Sequence, residues 1–401
     1  MNNNILKDKN LYIFIAILYC HFSPRFPADF RFWGFIAFLL MFSFSIKGKG
    51  VNNKRIEMAI SSRSFPFVFA IAYSFFLLVI GETDFVYVQR GLSQAMRDLC
   101  FIYAGYAILA KYKESAVLFL FISFAVTYFI ITLDGIAKFG LIRVLSYSFD
   151  MSASRFSKEE GDREFDEYFE FHEFGLTMPL FALFFYIEKG SRIRMLLFIM
   201  ISLLISLMCA KRIAIGAFII TLLLVLLGYK KSIVKYINRY GGIILVFASF
   251  AYLFVIYSGL LESLLEESDI DTRGRLYFWD FFVQKSEWSI SFLGNGLGYV
   301  SRYLNLSNAF NGITGVHNDF LRIYLELGFC GFLLFFILMF FYSMKEHTKV
   351  SNNVGWYSFI VLAYCFVIYL TDNAIYYGLL QMSIVVLPFS LNYINYKNEE
   401  L

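Results

Sequence analysis

The chain alternates between long apolar runs and short polar segments. Twelve apolar runs are each about long enough to cross the roughly 30 Å hydrocarbon core of a bilayer. They lie at 10–22, 31–46, 65–80, 95–110, 115–133, 174–187, 193–209, 211–228, 241–257, 319–343, 354–370 and 374–392. In lipid each run must be helical, because a helix satisfies its own backbone hydrogen bonds. The pattern predicts an all-α, polytopic integral membrane helix bundle of about 12 transmembrane helices, with 1–401 as a single membrane domain.

The polar segments differ in charge from one to the next. Alternate segments together hold nineteen Lys and Arg residues, whereas the short segments between them hold only Arg25, Arg31, Arg90, Arg97, Lys211 and Arg212. Short cytoplasmic loops accumulate Lys and Arg. The asymmetry predicts that both the N and C termini are cytoplasmic and that the intervening segments face the periplasm or the cell exterior.

Two long hydrophilic loops fall on the outer side in this topology. The first periplasmic loop, 134–173, holds ten carboxylates and five basic residues. It is either a solvated loop with no role beyond its charge or a region that contacts substrate. The second periplasmic loop, 258–318, has a more regular sequence. It begins with acidic residues and continues with an amphipathic stretch, a glycine cluster and a histidine before the next apolar run.

The composition excludes an ordinary soluble protein. Hydrophobic residues make up 59% of the chain and charged residues 16%, whereas soluble domains are about half apolar and a quarter charged. The net charge of +4 is too small to indicate a nucleic-acid partner, so membrane lipid is the expected surrounding. The five cysteines fall in or beside apolar runs without the spacing of a metal or redox site.

His317 directly precedes the tenth apolar run, so its imidazole is expected at the outer boundary between water and lipid. A neutral imidazole can accept a proton from an attacking hydroxyl group. The alternative is a helix-capping cluster, in which Asn318 or Asp319 caps the helix and His317 points into water. Arg322 and Glu326 follow at an i,i+4 spacing, which favours internal pairing over a functional use of Arg322.

Three arginines occupy the outer segments at positions suited to phosphate. Arg212 lies in a very short turn between two apolar runs, where its guanidinium is suited to bidentate contact with a phosphate group. The neighbouring Lys211 is interpreted as an anchor whose charged end reaches the membrane surface. Arg273 and Arg275 precede the aromatic stretch 276–279 (LYFW), whose spacing fits a short helix in the membrane interface. The alternative role of these two arginines is unspecific binding of lipid headgroups.

Two further patterns predict no ligand. The segment 294–298 (GNGLG) lacks the sixth-position glycine and the βαβ surroundings of a dinucleotide site, so it predicts a tight turn that returns the outer loop to the membrane. The remaining histidines, His21, His172 and His347, show no zinc-ligand spacing, and a metal site is therefore not predicted.

Four segments resemble the family of O-antigen ligases and O-antigen polymerases (Wzy type). They are 209–214 (CAKRIA), where the family has a Ser-Arg or Lys-Arg turn; 274–279 (GRLYFW), where it has Gly-Arg followed by Trp; 292–298 (FLGNGLG), where it has a glycine triplet; and 317–331, which runs from HNDFL to ELGFCG. Together they define a signature region over 209–331. The Lys-Arg and His-Asn-Asp forms are closer to polymerases than to ligases.

The resemblance implies metal-independent, inverting glycosyl transfer without a cofactor, from a glycan carried on undecaprenyl diphosphate at the outer face of the inner membrane. It assigns Arg212 and Arg275 to the charge that develops on the leaving diphosphate. It assigns His317 as the general base, or orienting group, for the acceptor hydroxyl. Further substrate contacts are expected from Arg273, Arg155, Arg163, Asn318 and Asp319. A protein that regulates chain length is an additional partner implied by the resemblance.

The preferred function is an O-antigen (surface polysaccharide) polymerase that joins undecaprenyl-diphosphate-linked oligosaccharide repeat units. The nearest alternative is an O-antigen ligase, which transfers the glycan to lipid A core. A transporter or flippase for the same lipid-linked glycan predicts charged residues along a path through the whole membrane, whereas here they gather on one side. A purely structural membrane protein predicts no effect from conservative changes at His317, Arg212 and Arg275.

Overall fold

A computed structural model describes residues 5–47, 54–144, 171–188, 191–209, 211–228, 230–267, 275–307 and 315–399. Within these ranges the regular structure is entirely helical. In chain order the helices are α1 (Lys9–Phe22), α2 (Phe35–Ile46), α3 (Lys54–Ser62), α4 (Phe65–Val79), α5 (Phe85–Tyr112), α6 (Ala116–Phe139), α7 (His172–Glu188), α8 (Arg192–Met208), α9 (Arg212–Leu227), α10 (Lys231–Tyr257), α11 (Leu260–Glu267), α12 (Arg275–Gln284), α13 (Tyr299–Ser307), α14 (Asp319–Phe336), α15 (Ser343–Val350), α16 (Asn352–Tyr369) and α17 (Gly378–Glu399). Each of the twelve apolar runs overlaps one of these helices.

Four helical segments of the described residues are long and apolar enough to cross a membrane. They are Phe85–Phe139, Lys231–Tyr257, Asp319–Val350 and Asn352–Tyr369. A fifth is obtained if α3 and α4, which are bent by 47° at their junction, form one span. The described part of the chain is therefore all-helical and typical of a membrane protein, while the count of twelve spans, the sidedness of the termini and the two outer loops stay predictions.

The helices divide into two units. The first consists of Met1–Lys54, Cys100–Tyr229 and Gly378–Leu401, and the second of Arg55–Leu99 and Lys230–Tyr377. Helix α5 begins in the second unit and ends in the first. Because α5 already begins at Phe85, Arg90 and Arg97 lie inside a helix and not in the short outer loop where the hydropathy pattern places them.

Helix α7 is the centre of the first unit, and its side chains from Glu173 to Phe185 are buried all around the helix. Helix α8 packs along it, and the Ser206 hydroxyl donates a hydrogen bond to the Gly175 carbonyl oxygen at 2.9 Å. A Cβ on Gly175 would lie only 2.6 Å from the Cβ of Cys209. The glycine therefore allows α7 to approach the short turn that joins α8 to α9.

Helix α14 forms the core of the second unit and is broken in the middle. Gly328 has φ of +67° and ψ of −172°, a conformation essentially restricted to glycine. The break leaves backbone carbonyl groups of α14 without partners in the helix, and the segment that contains the glycine cluster (294–298) forms hydrogen bonds with them. The backbone N–H groups of Asn295 and Gly296 donate to the carbonyl oxygens of Leu325 and Glu326 at 3.0 and 2.8 Å. Irregular backbone in a membrane protein is thereby satisfied by protein.

The glycine cluster is the predicted turn, with positive φ at Gly294, Gly296 and Gly298. It also has a role that the sequence did not show. Phe329, which follows the break, donates its backbone N–H to the carbonyl oxygen of Phe292 at 2.9 Å. The turn and the broken helix therefore form one unit of structure.

Alanine in place of Gly328 is expected to destabilise the protein by more than about 2 kcal/mol. The new Cβ would lie 2.6 Å from the nitrogen of Gly294 and would overlap the carbonyl oxygen of Phe292. Thermal unfolding of the purified protein in detergent measures the effect. Gly216→Ala is the matched control, because no atom lies within 4 Å of a Cβ at that position. Equal melting temperatures for the two variants would contradict this description of the break.

Candidate active site

The loop that leads into α14 has an unusual backbone conformation. His317 has φ of +50°, in the left-handed region that non-glycine residues rarely adopt. Gly315 lies against the side chain of Asn373, with which a Cβ at that position would overlap. Tertiary contact with the segment 371–377, which follows α16, therefore holds the loop in this conformation. Strained backbone of this kind is concentrated at functional sites.

His317 faces a buried carboxylate. Its Nδ1 atom lies 3.9 Å from Oδ1 of Asp372, and the side chains are 35% and 3% exposed respectively. Asp372 Oδ1 accepts a hydrogen bond from the backbone N–H of Asn373 at 2.8 Å, which fixes the carboxylate. At 3.9 Å the two atoms are in electrostatic contact and not hydrogen-bonded, and Nδ1 has no hydrogen-bond partner among the described residues. The imidazole of His317 thus lies beside a buried carboxylate and is partly exposed.

Asn318 and Asp319 fasten the same loop to its surroundings. The Asn318 side chain caps α14 by accepting a hydrogen bond from the backbone N–H of Leu321 at 3.0 Å. Asp319 Oδ2 accepts a hydrogen bond from the backbone N–H of Ile375 at 2.7 Å. Both side chains are fully buried. The predicted capping by Asn318 is confirmed, and it occurs together with the pairing of His317 with Asp372, not instead of it.

Tyr252 of α10 connects this loop to the end of α16 by hydrogen bonds. The positive charge of Arg275, the first residue of α12, acts on the Tyr252 hydroxyl. That hydroxyl accepts a hydrogen bond from Asn318 Nδ2 at 3.1 Å and donates one to the carbonyl oxygen of Leu370 at 2.8 Å. Tyr252 is therefore hydrogen-bonded to the residue next to His317, and Arg275 lies within electrostatic range of the same hydroxyl.

Helix α12 is anchored to protein through its aromatic side chains. Phe278, Trp279 and Phe282 are buried, and Trp279 Nε1 donates a hydrogen bond to the carbonyl oxygen of Val316 at 2.8 Å. The spacing that suggested a helix in the membrane interface does produce a helix, but these three rings pack inside the protein. The tryptophan fixes α12 to the residue that precedes His317.

Arg212 is the first residue of α9 in the first unit. The turn before it is held by the backbone N–H of Lys211, which donates to the carbonyl oxygen of Ser206 at 3.2 Å. Because Arg275 and His317 belong to the second unit, a common outer mouth for the three residues stays a prediction. Arg273, Arg155 and Arg163 lie outside the described residues.

The predicted pairing of Arg322 with Glu326 is confirmed. Arg322 Nε lies 3.2 Å from Glu326 Oε1, and both side chains are buried. Arg322 also donates a hydrogen bond to Gln94 Oε1 at 2.9 Å and lies over the ring of Tyr376, 4.3 Å from its centroid.

Sequence reasoning missed two groups of residues around this site. Asp372 was one of three polar residues left between the last two apolar runs, and a carboxylate in an outer turn was the signal that pointed to it. Arg90, Gln94 and Arg97 share one face of α5 at i, i+4, i+7 spacing, a pattern that becomes visible only when the helix is extended back to Phe85.

The comparison with known proteins agrees with the resemblance in the signature region. Residues 180–336 match the family model described as O-antigen ligase. No curated protein matches the chain. The matched residues include Arg212, Arg275 and His317, together with the broken helix and the glycine cluster. Residues 180–336 are therefore similar to the O-antigen ligase family, and this similarity supports the resemblance that the four segments of the signature region carry.

Proposed function

We propose that this chain is a polymerase that joins undecaprenyl-diphosphate-linked oligosaccharide repeat units by inverting glycosyl transfer without a metal. The observation that carries the proposal is the partly exposed imidazole of His317, which lies 3.9 Å from the buried carboxylate of Asp372. His317 and Arg275 both fall within the residues that match the family model described as O-antigen ligase. The distribution of Lys and Arg among the loops supports an active site on the periplasmic face of the inner membrane.

The reaction needs one proton acceptor and a site for a leaving diphosphate. His317 Nε2 takes the proton of the acceptor hydroxyl as its oxygen forms a bond with the anomeric carbon of the donor glycan. The bond from that carbon to the diphosphate oxygen breaks, and undecaprenyl diphosphate leaves with the electron pair. In-line attack inverts the anomeric configuration. Arg275, joined by Arg212 in this proposal, stabilises the negative charge that develops on the diphosphate.

Asp372 is proposed as a positioning residue for His317, and Asn318 and Asp319 hold the loop that carries both. Asp372→Asn is expected to lower kcat about tenfold to 100-fold, because a neutral amide attracts the imidazole less strongly than a carboxylate does while His317 takes the proton. The KM values for both substrates and the thermal unfolding of the protein are expected to stay unchanged. A rise in KM with unchanged kcat would contradict a positioning role.

The ligase is the second candidate, because the family model that matches is described as O-antigen ligase. Donor and chemistry are the same in both, and only the acceptor differs. The Lys211-Arg212 pair and the sequence His317-Asn318-Asp319 support the polymerase through their resemblance to polymerase forms.

The surface polysaccharide of a strain that lacks the gene distinguishes the candidates on a gel. A polymerase predicts core that carries a single repeat unit, with the full ladder restored by the wild-type gene. A ligase predicts bare core with polymer accumulating on the lipid carrier. An unchanged ladder would contradict both enzymes, and loss of all glycan from the outer face would favour the flippase.

A further inference from the structure

A group of three arginines in the second unit is not used in this mechanism. Arg90 lies on α5, Arg302 on α13 and Arg322 on α14. Arg322 donates a hydrogen bond to Gln94, one turn after Arg90, and the rings of Tyr87 and Tyr299, one turn before Arg90 and Arg302, lie 5.3 Å apart. The positive charges of Arg302 and Arg322 act on Arg90. Three separate helices therefore direct like charges to one place, where they repel each other.

The helix packing holds the three arginines together. Gly91 contacts the segment before α13 so closely that a Cβ on it would lie 2.6 Å from the Cβ of Leu297. One turn after Arg90, the side chain of Gln94 accepts the hydrogen bond from Arg322 at 2.9 Å. Because these contacts involve backbone and buried side chains, the arginines cannot simply separate to relieve the repulsion.

The charges of this group are only partly balanced. Arg322 is paired with Glu326, but among the described residues neither Arg90 nor Arg302 has an ion pair or a side-chain hydrogen bond. The Nε atom of Arg302 is buried, and α13 contains no carboxylate. Partly buried cations without a partner are costly, and a protein that keeps two of them side by side is suited to bind an anion.

We propose that Arg90 and Arg302, supported by Arg322, bind the diphosphate of the acceptor substrate. This rests on the proposed function. A polymerase binds two lipid diphosphates at once, the donor that is cleaved and the acceptor that stays intact. Arg275 is assigned to the donor, so the acceptor diphosphate needs a second set of guanidinium groups. No bond is broken at this second site, whose role is to bind and orient.

A cavity that lies about one helical turn from Arg90 and Arg302 suits the sugar that follows the acceptor diphosphate. It has a volume of ≈ 140 Å³. Tyr87 and Tyr299, one helical turn before Arg90 and Arg302, contribute to its wall with their rings 5.3 Å apart. Hydroxyl, amide and carboxylate groups bind sugar hydroxyls, and the remaining lining supplies all three: Thr83, Asn295, Glu82 and Asp84.

Binding stoichiometry tests the second site without any reaction. The purified protein in phosphatidylcholine nanodiscs is titrated with farnesyl diphosphate by calorimetry. The wild type is expected to bind two molecules per chain, and the R90Q/R302Q variant only one, with binding at the second site at least about tenfold weaker. R275Q is expected to lose the other molecule. A single site in the wild type, or two sites in R90Q/R302Q, would overturn the proposal.

Three controls separate the possible causes of a change. R239Q removes an exposed arginine of α10 and is expected to keep both sites. In the absence of ligand, R90Q/R302Q is expected to unfold at the wild-type temperature or above it, because the repulsion between the arginines is removed. A clearly lower unfolding temperature would contradict the claim that Arg90 and Arg302 carry unbalanced positive charge. Nanodiscs that contain phosphatidylglycerol test whether an anionic lipid headgroup occupies the second site. If the wild type binds only one farnesyl diphosphate per chain in these nanodiscs, the assignment to a diphosphate substrate is overturned. A wild-type protein that binds one farnesyl diphosphate and still polymerises in a way that depends on His317 would overturn the second site but not the proposed function. The two proposals are therefore tested separately.

Discussion

Replacing His317 with alanine is expected to lower the rate of polymer formation by about 100-fold to 10,000-fold, the usual contribution of a general base. The loop around His317 is held by Gly315 against Asn373 and by the cap of Asn318, none of which requires the imidazole. The variant is therefore expected to insert in the membrane and to unfold at about the wild-type temperature. The rate is measured as new glycosidic linkages formed by the purified protein.

His317→Gln separates a base from a group that only orients the acceptor. Glutamine keeps a hydrogen-bonding side chain but cannot accept the proton, so this variant is expected to be as inactive as the alanine variant. Substantial activity in His317→Gln would limit His317 to orientation. A normal distribution of chain lengths in His317→Ala would remove it from the mechanism altogether.

Replacing Arg275 with alanine is expected to lower the rate about 100-fold to 1,000-fold, because a preorganised donor to the leaving group is lost. Arg275→Lys keeps the charge but loses the planar, bidentate geometry, and only partial activity is expected. The measurement is the initial rate of release of undecaprenyl diphosphate.

Gln284→Ala is the matched control for Arg275, since Gln284 ends the same helix and is exposed. It is expected to retain wild-type activity. Loss of activity in both variants would point to the integrity of α12, and full activity in Arg275→Ala would contradict its role with the diphosphate.

Hydropathy predicted the helices well and their limits less well. Each apolar run overlaps a helix, because lipid leaves the backbone no other way to satisfy its hydrogen bonds. Helix α5 begins earlier than predicted because Gln94 and Arg97 bond to groups of the second unit, such as the carbonyl oxygen of Tyr376, and polar residues with partners can lie inside a helix. Arg63 is one of the nineteen basic residues that the charge pattern assigns to cytoplasmic segments. It is buried and donates a hydrogen bond to the carbonyl oxygen of Met339 at 2.9 Å.

The break at Gly328 was beyond the reach of a local pattern. A glycine in an apolar run is compatible with a continuous helix, and the break depends on the segment that contains Phe292 and the glycine cluster. For the same reason, the sequence proposes residues for the chemistry but not the residues that they contact. His317 stood out next to an apolar run, but Asp372 reaches it only through the fold.

The most direct test of the central claim is reconstitution of the purified protein in liposomes with a lipid-linked repeat unit as its only glycan. We predict a ladder of glycans of two or more repeat units, one undecaprenyl diphosphate released for each linkage formed, and no ladder with His317→Ala. A protein that yields no product longer than the starting repeat unit, yet transfers it to lipid A core when that acceptor is added, would contradict the polymerase and identify a ligase.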